Sequence, residues 1–225
     1  MMKRLCFCLA SLAVVIPASA QYKYGLKPVD YQGYLKSVEL NPEKRLIDLE
    51  RYIPGIVLDI RYATTHNFTG ERIYEEAKAF ARKPVAGALK KVQAELKERG
   101  LGIKVFDAYR PYSATVKFYE VYRDTTYVAS PYRGSRHNRG CALDLTLIDL
   151  KSGEELKMPT GYDSFSRRAW PSTEVNDPLL RKNRALLIST MERHGFRVST
   201  SEWWHFDFIG WRNFEVLDID FGQLP

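Results

Sequence analysis

The sequence predicts a single α+β domain in which helices flank a central, mostly antiparallel sheet. Three observations lead to this class: helical periodicity occurs early and late in the chain, strand-like segments cluster between these regions, and strands and helices do not alternate regularly as a parallel sheet requires. The length of 225 residues suits one domain with a short export segment. No internal repeat, low-complexity tract or linker divides the chain.

Residues 1–20 have the composition of a secretory signal peptide. Lys3 and Arg4 precede an apolar run over 5–17, and the small residues at 18–20 form a cleavage site. The run is too short to span a bilayer, although an N-terminal membrane anchor is the alternative interpretation. We therefore expect a mature domain of residues 21–225 that is soluble, has no stable membrane insertion, and is periplasmic or extracellular.

Charge and cysteine content exclude several classes of function. The formal net charge is +7, and loss of the first twenty residues removes two basic groups and no acids, which leaves +5. This charge is compatible with an anionic wall polymer but lacks the clustered basic stripe of nucleic-acid-binding proteins, so no nucleic-acid partner is expected. Cys6 and Cys8 leave with the signal segment, and Cys141 remains as a small, buried residue. An intramolecular disulfide and a cysteine-based metal site are therefore excluded.

The N-terminal segment of the domain is expected to be irregular, with at most a short helix. Over residues 22–55, polar and aromatic residues mix with Pro28, Pro42 and Pro54. Residues 56–62 are rich in apolar and β-branched residues, which predicts a short strand.

The clearest helix of the N-terminal half is predicted to begin at Pro84 and to end at Gly100. Proline is favoured in the first turn of a helix, and glycine is favoured just past its end. One face of this segment is apolar, consisting of Val85, Ala88, Leu89, Val92 and Leu96. Residues 103–106 then form a buried strand, and Ser113 is placed to cap a further helix that runs to about Asp124.

The C-terminal half contains the clearest strand. Residues 141–148 alternate, so that Cys141, Leu143, Leu145 and Leu147 share one face while Ala142, Asp144 and Thr146 share the other. A long helix is predicted to open at 176–178 and to end at 194–195, where a glycine follows a histidine. The last strand is predicted over 203–209.

Asp144 and His137 are candidate metal ligands. Asp144 lies within the apolar strand, where an unpaired buried charge is costly. An ion pair with an arginine would satisfy this carboxylate, and so would a metal ion. His137 lies in a polar turn at the mouth of the same strand, which favours the metal.

His205 and Glu202 extend this candidate site. His205 is a polar residue among bulky aromatic residues, and Glu202 precedes its strand. Hydrolytic zinc needs three protein ligands, an open position for water and a carboxylate that accepts the proton. Two imidazoles and one carboxylate also suit iron(II), and Asp207, on the same strand face as His205, is a rival ligand that spacing does not eliminate.

Arg110 follows the strand at 103–106 and precedes a proline. A permanently charged guanidinium in this position can stabilise an oxyanion that develops when water adds to a carbonyl, although a surface salt bridge is the simpler interpretation.

These residues stand in motifs that resemble a known family. Residues 135–144 fit S-x-H-x-x-G-x-A-x-D, and residues 202–205 fit E-x-W-H, as in the zinc D-Ala-D-Ala peptidases. That group includes D,D-carboxypeptidases, L-alanyl-D-glutamate endolysins and D-Ala-D-Ala dipeptidases of the VanX type. The blocks DIRYATTHNFTG at 59–70, DAYRP at 107–111 and EWWHF at 202–206 point to the dipeptidases. The resemblance spans about residues 56–210, and it implies the hedgehog-like zinc fold of this group.

The resemblance implies a role for each candidate residue. His137, Asp144 and His205 would bind one zinc ion per chain, Glu202 would act as general base and acid, and Arg110 would steady the tetrahedral intermediate.

The resemblance also implies how a small D-amino-acid dipeptide is held. Asp163 matches a family carboxylate that receives the free amino group, although a solvated loop acid is the alternative. Ser135 and Tyr62 are candidates for lining the pocket.

The sequence departs from close relatives in three places. Ala108 replaces a glycine, Cys141 replaces a small polar residue, and the signal segment at 1–20 is additional. Resistance-type dipeptidases act in the cytoplasm, which an exported enzyme cannot do, so a role in wall turnover or in salvage of released D-Ala-D-Ala is expected. The alternatives are a D,D-carboxypeptidase or endolysin-like peptidase on peptidoglycan peptides, and a non-catalytic zinc-containing binding module.

Overall fold

The computed structural model describes residues 23–225, so the expected signal segment at 1–20 lies outside the described residues. Within the described part there are five α-helices: α1 (Tyr31–Leu40), α2 (Leu49–Tyr52), α3 (Lys83–Lys97), α4 (Tyr112–Val121) and α5 (Pro178–Arg193). The seven strands are β1 (Leu46–Asp48), β2 (Val57–Leu58), β3 (Phe80–Arg82), β4 (Leu101–Asp107), β5 (Ala142–Asp149), β6 (Phe196–Val198) and β7 (His205–Phe208). None of the helices in residues 23–225 is both long and apolar enough to cross a membrane.

A five-stranded sheet forms the centre of the domain. Its strand order is β2-β4-β5-β7-β6, and only the β2–β4 pair is parallel. A separate antiparallel pair joins β1 to β3. These observations confirm the predicted α+β class with a mostly antiparallel sheet.

The central strand β5 has the predicted alternation. Its leucines are fully buried on one face of the sheet, and Asp144 and Thr146 are also buried on the other. Cys141, immediately before the strand, is a free buried thiol, and burial raises its pKa to about 12. Because Asp144 is buried on this strand, its carboxylate needs a partner within the protein.

Two long helices begin and end close to where the sequence predicts them. Helix α3 starts one residue before Pro84 and is followed by Gly100, which has a φ of +71°. Helix α5 starts at Pro178. The Asp177 side chain caps it by accepting hydrogen bonds from the backbone N–H groups of Leu179 and Leu180. Gly195, with a φ of +87°, follows its end. Proline at the start and glycine after the end define these helix boundaries, because few other residues fit the backbone conformations required there.

The prediction for residues 22–55 was wrong in its description of an irregular segment. This part contains the ten-residue helix α1, the strand β1 and the short helix α2. Pro42 and Pro54 lie just beyond the ends of α1 and α2, and Pro28 precedes α1. The prolines therefore mark the boundaries of these elements rather than preventing them.

Two predicted strands are shorter in the structure. The strand expected over 56–62 is limited to β2, because Arg61–Ala63 form a 3-10 turn. The strand expected over 203–209 is limited to β7.

Ser113 is not the cap of α4. The helix begins at Tyr112, and Ser113 lies in its first turn, where its backbone N–H and its hydroxyl both donate to Asp218 Oδ1 at 3.0 and 2.8 Å. A carboxylate from the C-terminal segment thus accepts hydrogen bonds at the N-terminus of α4, where backbone N–H groups have no partner within the helix.

Candidate active site

Strand register and one turn bring two histidines and an aspartate together. Asp144 lies directly opposite His205 in the β5–β7 pair, and His137 lies in the 3-10 turn that leads into β5. One nitrogen of each imidazole and one Asp144 oxygen all lie within 4.8 Å of one another. His137 and Asp144 are only 2% and 3% exposed. We call these three residues the metal cluster.

Hydrogen bonds on the outer side of each imidazole fix which nitrogen faces the cluster. His137 Nδ1 lies 2.7 Å from the carbonyl oxygen of Ala108, which can only accept, so Nδ1 carries the hydrogen. His205 Nε2 lies 3.1 Å from Asp207 Oδ1, so this nitrogen is also engaged on the outer side. The nitrogens that face the cluster are therefore His137 Nε2 and His205 Nδ1. These two nitrogens are 3.1 Å apart, and they lie 3.3 and 2.9 Å from Asp144 Oδ1.

Three potential metal-ligand atoms thus converge on one point. Two imidazole nitrogens and a carboxylate oxygen are ordinary zinc ligands, and a set of three leaves a coordination position open. Asp207, the rival ligand, lies against the far nitrogen of His205 and outside the converging set. Its position is that of an outer carboxylate that orients a metal-binding imidazole.

The charge state of Asp144 is consistent with a cation site. Burial alone would raise the pKa of this carboxyl, but the adjacent His137 and His205 imidazoles lower it well below its usual range. The carboxylate is therefore ionised at neutral pH.

Glu202 lies in the turn before β7 and lines the same cavity as the metal cluster without belonging to it. Burial raises the pKa of its carboxyl to about 8, with a smaller opposing effect of His205. A carboxyl with a raised pKa beside a candidate metal site has the properties of a group that exchanges protons during catalysis.

Arg110 is buried and held in a fixed direction by Asp107 at the end of β4. Its Nε and Nη2 lie 2.9 and 2.7 Å from Asp107 Oδ2, and Nη2 lies 3.8 Å from Asp144 Oδ2. The guanidinium also lies over the Phe118 ring, 4.7 Å from its centroid. Sequence reasoning did not single out Asp107, although its place three residues before Arg110 in the DAYRP block was a signal.

The three residues expected to bind substrate line the same cavity. The Tyr62 hydroxyl lies 3.2 and 3.0 Å from the two Asp163 carboxylate oxygens. Burial and the nearby Asp144 charge raise the pKa of Asp163 well above its usual value, and the Tyr62 hydrogen bond opposes this shift. The Ser135 hydroxyl accepts a hydrogen bond of 3.1 Å from the backbone N–H of His137. The cavity that these residues line has a volume of about 150 Å³.

Tyr162 is a site residue that sequence reasoning missed. Its hydroxyl donates to Asp144 Oδ2 at 3.0 Å, which leaves Oδ1 to face the two imidazoles. Its ring stacks on Phe106, with centroids 4.6 Å apart. The only signal in the sequence was its position next to Asp163.

Replacing Tyr162 by phenylalanine should lower zinc affinity by about 10–100-fold, the usual effect of removing an outer hydrogen bond to a metal ligand. The ring and its packing are retained, so thermal stability should change little. Competition with a chromogenic chelator measures the affinity. The matched control is Tyr132→Phe, at an exposed tyrosine, and equal affinities in the two variants would contradict the assignment.

Comparison with known proteins identifies the family. Residues 42–217 match the peptidase family described as D-Ala-D-Ala dipeptidase. A D-alanyl-D-alanine dipeptidase of Escherichia coli is 36% identical over 176 residues, which cover 78% of this chain and 91% of that protein. A D-alanyl-D-alanine dipeptidase of Enterococcus faecalis is 30% identical over 187 residues, covering 74% and 93%. Among solved structures, a vancomycin-resistance D,D-pentapeptidase VanY in complex with Zn(II) is 16% identical, with a TM-score of 0.39 over 60% of this chain and 75% of that one. The chain belongs to the D-Ala-D-Ala dipeptidase family of zinc-dependent peptidases.

Proposed function

We propose that the protein hydrolyses D-alanyl-D-alanine to two molecules of D-alanine, with one zinc ion held by His137, Asp144 and His205. The observation that carries this proposal is the convergence of three potential metal-ligand atoms in a cavity that also contains a carboxyl with a raised pKa. Membership of the family supplies the substrate class.

Each residue of the cavity has a chemical role in this proposal. Zinc, when bound, supplies Lewis acidity toward the scissile carbonyl and makes water easier to deprotonate. Glu202 accepts the proton of the attacking water as the new C–O bond forms, and it returns that proton to the leaving amine as the C–N bond breaks. Arg110, fixed by Asp107, donates hydrogen bonds to the oxygen on which negative charge develops.

Asp163 binds the substrate's ammonium group in this proposal. A cation beside this carboxyl offsets the burial that raises its pKa, so the substrate itself favours the ionised form. The Tyr62 hydroxyl orients the carboxylate, and Ser135 lines the cavity. A carboxylate that must meet a free amino group restricts the enzyme to short, unblocked peptides.

Replacing Asp163 by asparagine should lower kcat/KM for D-Ala-D-Ala by about 10–100-fold, because a neutral amide cannot compensate the ammonium charge. Asparagine is the suitable substitution, since Asp163 has a φ of +54° and asparagine tolerates this left-handed conformation. Activity on N-acetyl-D-Ala-D-Ala, which has no ammonium, is the internal control. An unchanged kcat/KM for the free dipeptide would show that its amino group binds elsewhere.

The export signal expected at 1–20 supports a place of action outside the cytoplasm. There the enzyme would act in wall turnover or in salvage of released dipeptide. Cell fractionation with N-terminal sequencing tests this part of the proposal, and a cytoplasmic protein with an intact N-terminus would contradict it.

The experiment that tests the function compares two substrates. The zinc-loaded protein of residues 21–225 is given D-Ala-D-Ala or its N-acetylated analogue, and released D-alanine is measured, with Glu202→Gln as the inactive control. Cleavage of the free dipeptide alone is the expected result. Cleavage of the blocked substrate would instead indicate a D,D-carboxypeptidase or an endolysin-like peptidase, and cleavage of neither would indicate a binding module.

A further inference from the structure

Two arginines line the catalytic cavity, and they differ in their surroundings. Arg110 is 7% exposed and is held by Asp107, as described above. Arg136 lies in the turn directly before His137, and its side chain is 49% exposed. No lysine is among the described residues that line this cavity. Arg136 is therefore the cation in the cavity that remains accessible to a ligand.

The guanidinium of Arg136 is positioned but not saturated. Its Nε lies 3.6 Å from Asp207 Oδ2, beyond normal hydrogen-bond distance, and its Cζ lies 5.0 Å from the centroid of the Trp211 ring. Within residues 23–225, no hydrogen bond uses its donors. A guanidinium has five donors in a planar fork that matches a carboxylate.

The surface around Trp211 adds positive charge. The guanidinium groups of Arg139 and Arg212 lie 5.3 and 4.4 Å from the centroid of the same ring. Three guanidinium groups around one indole repel one another, and an anion bound among them relieves that repulsion. The Asp207 carboxylate offsets only part of this charge because it also bonds to His205.

Arg136 and Asp163 are connected to the metal cluster through different ligands. Asp207, the partner of Arg136, contacts the outer nitrogen of His205, whose inner nitrogen faces Asp144. Asp163 follows Tyr162, whose hydroxyl bonds to the other Asp144 oxygen. The cavity thus contains a positive group associated with His205 and a negative group associated with Asp144.

We infer that Arg136 binds the C-terminal carboxylate of the dipeptide substrate, with the Trp211 ring supporting the guanidinium. This inference rests on the proposed function. A dipeptide has an ammonium at one end, a carboxylate at the other and the scissile amide between them, which matches the negative Asp163, the positive Arg136 and the metal cluster of this cavity. Arg110 is not available for the carboxylate, because Asp107 holds it toward the amide. The cavity therefore recognises both termini of its substrate and selects free dipeptides from both ends.

The test compares D-Ala-D-Ala with D-alanyl-D-alaninamide, which keeps the ammonium and lacks the carboxylate charge. In Arg136→Ala, kcat/KM for the dipeptide should fall by about 10–100-fold, as expected for loss of a charge-assisted hydrogen bond, and kcat/KM for the amide should fall much less. The wild-type preference for the acid over the amide should largely disappear. Arg136→Lys keeps the positive charge but lacks the planar fork of donors. Its kcat/KM for the dipeptide should therefore lie between the values of the wild type and Arg136→Ala.

Two controls separate substrate binding from folding. Arg168→Ala removes an exposed arginine that does not line the cavity, and it should keep the acid-to-amide preference. The zinc content of Arg136→Ala should equal that of the wild type. Calorimetric binding of D-Ala-D-Ala to Glu202→Gln, with and without Arg136→Ala, gives the same comparison without turnover.

An unchanged acid-to-amide preference in Arg136→Ala, with a wild type that cleaves D-Ala-D-Ala, would overturn this inference alone. Equal losses on both substrates would also overturn it, because they would indicate a structural role. A zinc-loaded wild type that cleaves neither substrate would overturn the proposed function, and the inference with it.

Discussion

Replacing Glu202 by glutamine is expected to lower kcat for D-Ala-D-Ala by about 10²–10⁴-fold, the usual contribution of a general base. Glutamine keeps the size of the side chain but cannot accept the proton of the attacking water. Because Glu202 lies outside the metal cluster, zinc content should not change. The measurement is kcat of the zinc-loaded variant together with its zinc content. Glu154→Gln, at an exposed glutamate beyond the end of β5, is the matched control.

The pH profile provides a second test of the same role. The base is active in its ionised form, so wild-type kcat/KM should decrease as the pH falls through the pKa of Glu202. Burial raises this pKa, and a bound cation would lower it again. The residual activity of Glu202→Gln should lack this acid limb. Loss of zinc together with activity would assign Glu202 to the metal instead, and full activity would assign the base to another residue.

Replacing Asp144 by asparagine is expected to reduce zinc affinity by more than the 10–100-fold typical of outer hydrogen bonds, and to abolish activity at limiting zinc. The carboxylate is the one anionic ligand in the cluster, and it lies 3.3 Å or less from the imidazole nitrogens that face it. An amide retains the shape and can still accept from Tyr162, but it cannot supply the negative charge.

The control for this variant is Asp149→Asn, the same substitution at the far end of β5. Asp149 accepts hydrogen bonds from the backbone N–H groups of Lys151 and Ser152, and asparagine preserves these acceptors. Zinc affinity, measured by chelator competition, should fall in Asp144→Asn alone. Comparable affinities in the two variants would mean that the metal binds without Asp144.

The elements that could be predicted from the sequence are those with several agreeing signals. Helix α3 combines apolar periodicity with Pro84 and Gly100 at its boundaries, and α5 has Asp177, Pro178 and Gly195. The helices before residue 55 are not predicted from the sequence, because the prolines of this stretch indicate interruptions and do not show that helices lie between them. Strand boundaries at β2 and β7 depend on neighbouring strands, which a local pattern does not contain.

The candidate site could be assembled from the sequence only in part. The polar residues of the β5 and β7 regions indicated His137, Asp144 and His205, and these side chains lie together in the structure, although their roles as ligands stay predictions. The sequence left Asp207 open as a rival ligand, because spacing along one strand does not show which imidazole nitrogen an acid faces.

The residues that support the cluster were not predictable from local pattern. Tyr162 and Asp107 contact the site from a loop and from the end of β4, and Arg136 is placed by Trp211, which is distant in sequence. Such contacts depend on tertiary packing, so no spacing rule identifies them.

The most direct test of the account is a zinc titration of dipeptidase activity. The metal-free protein is prepared by dialysis against a chelator, zinc is added in steps, and D-alanine release from D-Ala-D-Ala is measured at each step. We expect no activity without metal and a linear rise that ends at one zinc per chain. Activity that survives removal of all metal, or a fully loaded protein that releases no D-alanine, would contradict the proposal that His137, Asp144 and His205 hold a catalytic zinc.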